Sequence, residues 1–70
     1  MDYEDILYEA ADGVVTLTIN RPEQGNKFRV QTTLELADAL RRFRADPQLR
    51  VAVLTGAGEK FFCIGGEHDE

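Results

Sequence analysis

The chain lacks nearly every device that staples a small protein. Its one cysteine, Cys63, excludes an internal disulfide, and its one histidine, His68, leaves no Cys/His cluster to hold zinc. Serine is absent, which excludes a Ser-His nucleophile pair. No stretch approaches the roughly 20 apolar residues of a membrane span, and the acidic start does not read as a secretory leader. The formal charge of −5 lacks the basic excess of a general nucleic-acid binder. These absences point to a reducing, cytoplasmic setting, with neither nucleic acid nor membrane as partner.

What is present argues for folding. Hydrophobic residues make up 43% of the 70 positions, enough for an ordered segment. A chain of this size buries only roughly 60% of its unfolded surface, so its core is marginal. Acidic residues crowd the start (Asp2, Glu4, Asp5, Glu9, Asp12), while Lys27, Arg29, Arg41, Arg42, Arg44 and Arg50 occupy the middle. That middle offers cations to an anionic small molecule, although Arg41, Arg42 and Arg44 also suit a solvated helix face.

Ile6–Glu9 reads as a short strand, and Ala11-Asp12-Gly13 as a turn in which glycine supplies positive φ. Val14–Ile19 alternates, with Val15, Leu17 and Ile19 on one face, so residues 6–19 predict a β-hairpin. Asn20-Arg21-Pro22 stops the strand, and Glu23–Arg29 reads as loop. Thr32-Thr33-Leu34-Glu35 fits a capping box, which places a helix start near Thr32. Leu36, Ala37, Leu40 and Phe43 then recur at helical spacing, with Asp38, Arg41 and Arg42 facing outward, until Asp46-Pro47. Val51–Leu54 is apolar without alternation, as in a parallel strand covered on both faces. The order is β-β-α-β in an α/β fold. The expected core is Val15, Leu17, Ile19, Leu36, Leu40, Phe43, Val51, Val53 and Phe62.

Candidate chemistry concentrates after that last strand. Gly56-Ala-Gly58-Glu-Lys-Phe61 opens like a dinucleotide fingerprint, but phenylalanine takes its sixth position and no helix pattern follows. Gly58-Glu59-Lys60 lacks the Gly-Lys-Ser/Thr of a phosphate loop. Gly65-Gly66 is the stronger candidate, because enolate and acyl-transfer chemistry needs backbone N–H groups aimed at a developing oxyanion; a flexible turn is the plainer alternative. The acids Glu59, Glu67, Asp69 and Glu70 read as surface carboxylates, and Cys63 beside Phe61 and Phe62 as packing.

Taken together, the chain resembles the N-terminal portion of the crotonase (enoyl-CoA hydratase/isomerase) superfamily. The carriers are Gly13–Pro22, Asn26-Lys-Phe28, Leu36–Leu40, Val51–Gly56 and Lys60–Glu67, an ordered set running from about Ile6 to Glu67. Asn26–Arg29, followed by Thr32-Thr33 and Glu35-Leu36, together with the Phe62–Glu67 stretch, is similar to the dihydroxynaphthoyl-CoA synthase and ketocyclohexanecarboxyl-CoA hydrolase group. The resemblance implies the β-β-α-β opening of a crotonase-type ββα spiral and an acyl-CoA thioester as substrate, with CoA entering as part of it and no separate cofactor. It makes the Gly66 N–H one of two oxyanion donors. It sets Ile64, Gly65, Glu67 and His68 along the acyl-CoA channel, and Lys27, Phe28 and Arg29 against the CoA nucleotide or its phosphates. Lys27 stands where alanine is common, and Glu67 where aspartate is usual.

In that family the second oxyanion glycine, the catalytic acids or tyrosine and the trimerising helices lie further downstream. The resemblance therefore implies that residues 1–70 form one incomplete domain, inactive unaided, of a hydratase, isomerase, hydrolase or synthase whose full-length form is a homo-oligomer, a trimer or dimer of trimers. The rival readings are a non-catalytic CoA-binding module and a structural fragment.

Overall fold

A computed structural model describes residues 2–58. In chain order it comprises β1 (Ile6–Ala11), β2 (Val14–Ile19), a single 3-10 turn (Pro22–Gln24), α1 (Val30–Ala45) and β3 (Val51–Gly56). The strands form one sheet in the order β1-β2-β3, with β1 antiparallel and β3 parallel to the central β2. The α/β order read from the sequence is thus present, and β1 runs two residues further than expected, to Ala11.

The hairpin follows from its turn. Asp12 and Gly13 take φ of 54° and 80°, both positive, as a two-residue turn needs to match strand twist. Ala11 consequently pairs with Val14 and Ile6 with Ile19. Val15, Leu17 and Ile19 all point to the buried face, as alternation requires. Parallel pairing starts from the same turn, where the Gly13 carbonyl accepts from the N–H groups of Arg50 (2.7 Å) and Val51 (3.2 Å).

The helix differs from expectation in start and in rotation. It begins at Val30 after Arg29, and Thr32 lies in its first turn, where its Oγ1 accepts from the Arg29 N–H at 3.1 Å. Glu35 does not complete a capping box with Thr32. Its carboxylate instead accepts the backbone N–H groups of Glu4 (3.0 Å), Asp5 (2.8 Å) and Ile6 (3.1 Å), and the Gln31 side-chain amide at 2.6 Å. Thr32, Glu35 and Ala39 therefore form the fully buried stripe, and Leu36 and Phe43 pack at its edge. Ala37 and Leu40, expected inside, are exposed because this rotation turns them away.

Of the side chains expected to face outward, Arg41 and Arg42 are exposed and Asp38 is half-buried, and two of them also reach the start of the chain and β1. The Asp38 Oδ2 accepts from the Tyr3 hydroxyl at 2.7 Å, and the Arg42 guanidinium lies 3.9 Å from the Tyr8 ring centre.

The buried core among the described residues is Ile6, Val15, Leu17, Ile19 and Ala39; all of these but Ile19 form one cluster, flanked by Tyr3, Tyr8, Leu36, Phe43 and Leu49. Helix α1 packs on β1 and β2. β3, expected to be covered on both faces, is exposed on both, and Val51, Val53 and Leu54 remain roughly half open. The cause is placement: α1 sits over the hairpin. Phe62 lies outside the described residues.

Candidate functional site at the strand ends

The carboxyl ends of the two parallel strands lie side by side, Ile19 pairing with Gly56. Loops leaving such ends are where open α/β sheets bind ligands. Here the two loops are residues 20–29 and the segment starting at Ala57.

The first loop closes on itself. Gly25 and Asn26 adopt left-handed φ of 65° and 57°, a conformation that glycine and asparagine tolerate best. The Arg21 N–H donates to Asn26 Oδ1 (2.9 Å), the Asn26 N–H to the Arg21 carbonyl (2.8 Å), and Arg21 Nη1 to the Lys27 carbonyl (2.7 Å). The backbone that carries Lys27 and Phe28 is thereby fixed at both sides. Phe28 is exposed and Lys27 partly so, which leaves both side chains at the surface.

Arg29 is turned inward. Its Nε and Nη2 each donate to the Asp5 carboxylate at 2.8 Å, and Thr32 Oγ1 donates to the same carboxylate at 2.6 Å. Arg29, and after it Thr32, hold Asp5 below the usual carboxylate range, outweighing the opposing effect of its burial. An open hollow of about 460 Å³ lies against this pair and is walled by Asn20, Arg21, Glu23 and Gln24. Its walls carry both signs of charge.

The second loop abuts the first at two points. Asn26 Nδ2 donates to the Ala57 carbonyl at 2.8 Å. Gly58, at φ 86°, is so close that an added Cβ would meet the Pro22 Cβ at 3.3 Å. Of the residues singled out by sequence, Lys27, Phe28 and Arg29 are brought to this end of the sheet. Ile64, Gly65, Gly66, Glu67 and His68 lie outside the described residues.

Asn26, Asp5 and Glu35 were not legible as organising residues. The available signal for Asn26 was the Gly-Asn dipeptide, which marks left-handed backbone. Asp5 and Glu35 carried none, because their partners are 24 and about 30 residues away in sequence. Among the described residues, no group of three His, Cys, Asp or Glu side chains could hold a metal, and no helix is long and apolar enough to cross a membrane.

A strand-loop-helix-strand unit whose parallel strands present two adjoining loops defines the opening of a crotonase-type α/β fold. A family model described as enoyl-CoA hydratase/isomerase matches residues 9–70, and the chain belongs to that family. It is similar to an enoyl-CoA hydratase/isomerase from Xanthobacter autotrophicus (32% identity, TM-score 0.91, covering 97% of this chain and 25% of that one). It is likewise similar to a carnitinyl-CoA dehydratase from Mycobacterium avium (39% identity, TM-score 0.89, covering 94% and 26%). An enoyl-CoA hydratase from Mycobacterium tuberculosis matches at 32% identity and TM-score 0.87, over 94% of this chain and 28% of that one. The chain spans about a quarter of the length of these relatives.

Proposed function

We propose that the chain supplies the CoA-facing opening and one oxyanion donor of an enzyme that processes acyl-CoA thioesters through an enolate. The family match over residues 9–70 carries this reading. In it, the Gly66 N–H points to the thioester oxygen, where a donor in place before charge develops lowers the barrier. Ile64, Gly65, Glu67 and His68 line the acyl channel. Lys27 meets CoA phosphate as a point charge, and Phe28 offers the nucleotide an apolar face. Arg29, its guanidinium engaged by Asp5, acts by holding this loop. CoA enters as part of the substrate, without a separate cofactor.

Because the chain spans about a quarter of its relatives, we expect the 70 residues to bind without turnover. We assign the complete enzyme to the cytoplasm as a homo-oligomer. Kinship with the dihydroxynaphthoyl-CoA synthase group rests on Asn26–Arg29 and Phe62–Glu67, and would give the substrate a ring-bearing acyl group. The named relatives instead carry hydratase and dehydratase descriptions.

Calorimetric titration of the chain with CoA and with crotonyl-CoA tests the reading. Saturable binding that weakens with salt and with Lys27→Glu is expected. No saturable binding to either ligand overturns it.

A further inference from the structure

We propose that Asn26 is a positioning residue that couples the two ligand-facing loops, a role that rests on the acyl-CoA reading above. Its side chain is fully buried, yet both ends of its amide are used on backbone. Oδ1 accepts from the Arg21 N–H at 2.9 Å, on the loop that carries Lys27 and Phe28. Nδ2 donates to the Ala57 carbonyl at 2.8 Å, at the start of the segment that leads in sequence to Gly65-Gly66.

One planar amide thus spans the gap between the backbone that meets the CoA moiety and the backbone that leads to the thioester donor. A long ligand gripped at two points gains most when those points are pre-set, since ordering them is no longer charged against binding. Other features explain why the link falls on this residue. The left-handed backbone at φ 57° admits asparagine better than other side chains of its reach. A carboxylate there would face the Ala57 carbonyl with no proton to share. Gly58 lies near the same loop, where an added Cβ would come within 3.3 Å of the Pro22 Cβ, so the backbone there has little room to shift.

Asn26→Asp keeps the acceptor for Arg21 and removes the donor to Ala57; Asn26→Gly keeps the left-handed backbone and removes both. Amide hydrogen exchange and CoA titration on the full 70-residue chain separate coupling from bulk stability. The expected result is a rise in CoA Kd of about tenfold for Asn26→Asp, the scale of one buried hydrogen bond, and a larger rise for Asn26→Gly. Faster exchange at Lys27, Ala57 and Gly58 should accompany it, with the Leu17 amide unchanged. Loosened loops with an unchanged Kd overturn the role, as does a uniform rise in exchange that includes Leu17. If the unsubstituted chain fails to bind CoA, the acyl-CoA reading falls, and the assignment of Asn26 falls with it.

Discussion

Asp5 and Arg29, 24 residues apart, meet in a two-pronged pair in which Nε and Nη2 reach separate carboxylate oxygens at 2.8 Å. Asp5 is buried and Arg29 partly open to solvent. The pair joins the residue before β1 to the residue before α1, so the strand and the helix start from a common anchor. Forked arginine–carboxylate geometry carries more directional constraint than a lysine could supply.

Because Arg29 holds the Asp5 carboxyl below its ordinary range, the folded chain favours the ionised form. The stabilisation is present at neutral pH and is lost as pH falls below about 4 and through the lowered folded-state value. Asp5→Asn should cost about 1–3 kcal/mol at pH 7 and flatten this acid limb. Urea melts between neutral and acidic pH check it; an Asp5→Asn melt that keeps the full acid dependence would contradict the assignment.

Glu35 takes three backbone N–H groups from residues 4–6. Glu35→Gln leaves one oxygen for them and turns an N–H₂ toward the rest, at an expected cost of about 1–3 kcal/mol. Glu35→Ala, which leaves all of them without their acceptor, should cost more. Faster amide exchange at Asp5 and Ile6 in Glu35→Gln, measured against Leu17, is the direct readout.

Gly13 and Gly58 both have positive φ, but an added Cβ would be crowded only at Gly58, 3.3 Å from the Pro22 Cβ, against 3.5 Å from the Gln48 carbonyl at Gly13. Gly13→Ala should cost about 1–2 kcal/mol, the backbone conformation alone. Gly58→Ala adds a contact to that and should be the worse of the two in thermal melts of the single variants.

Val51, Val53 and Leu54 expose an uncharged strand at the edge of the sheet formed by the described residues. Such an edge pairs readily with other chains. The isolated chain should associate as concentration rises, and Val53→Lys should suppress this in sedimentation or light scattering. Equal association by the variant would place the sticky surface elsewhere.

The hairpin was legible because alternation at Val15, Leu17 and Ile19 and the Asp-Gly turn act locally and agree. The family was legible from ordered short motifs. The rotation of α1 was not. Thr32 and Glu35 have capping-box spacing, but three strand N–H groups claimed the Glu35 carboxylate, and a long-range claim of that kind leaves no mark in nearby sequence. Leu40 lost its expected burial to Ala39 as a result. At the candidate site, Lys27 and Phe28 were named through the resemblance, whereas the Asn26 link to Ala57 depends on where two distant loops meet.

The Gly13 carbonyl, which accepts from Arg50 and Val51, also has a kinetic meaning. A hairpin with a two-residue turn closes within roughly 1–10 μs, long before the chain between β2 and β3 can be gathered. The acceptor that receives the start of β3 is therefore built into the turn that forms first. Assembly of the sheet is expected to run outward from residue 13, with α1 folded before β3 docks. A substitution at that turn should slow the later parallel pairing as well as the hairpin itself.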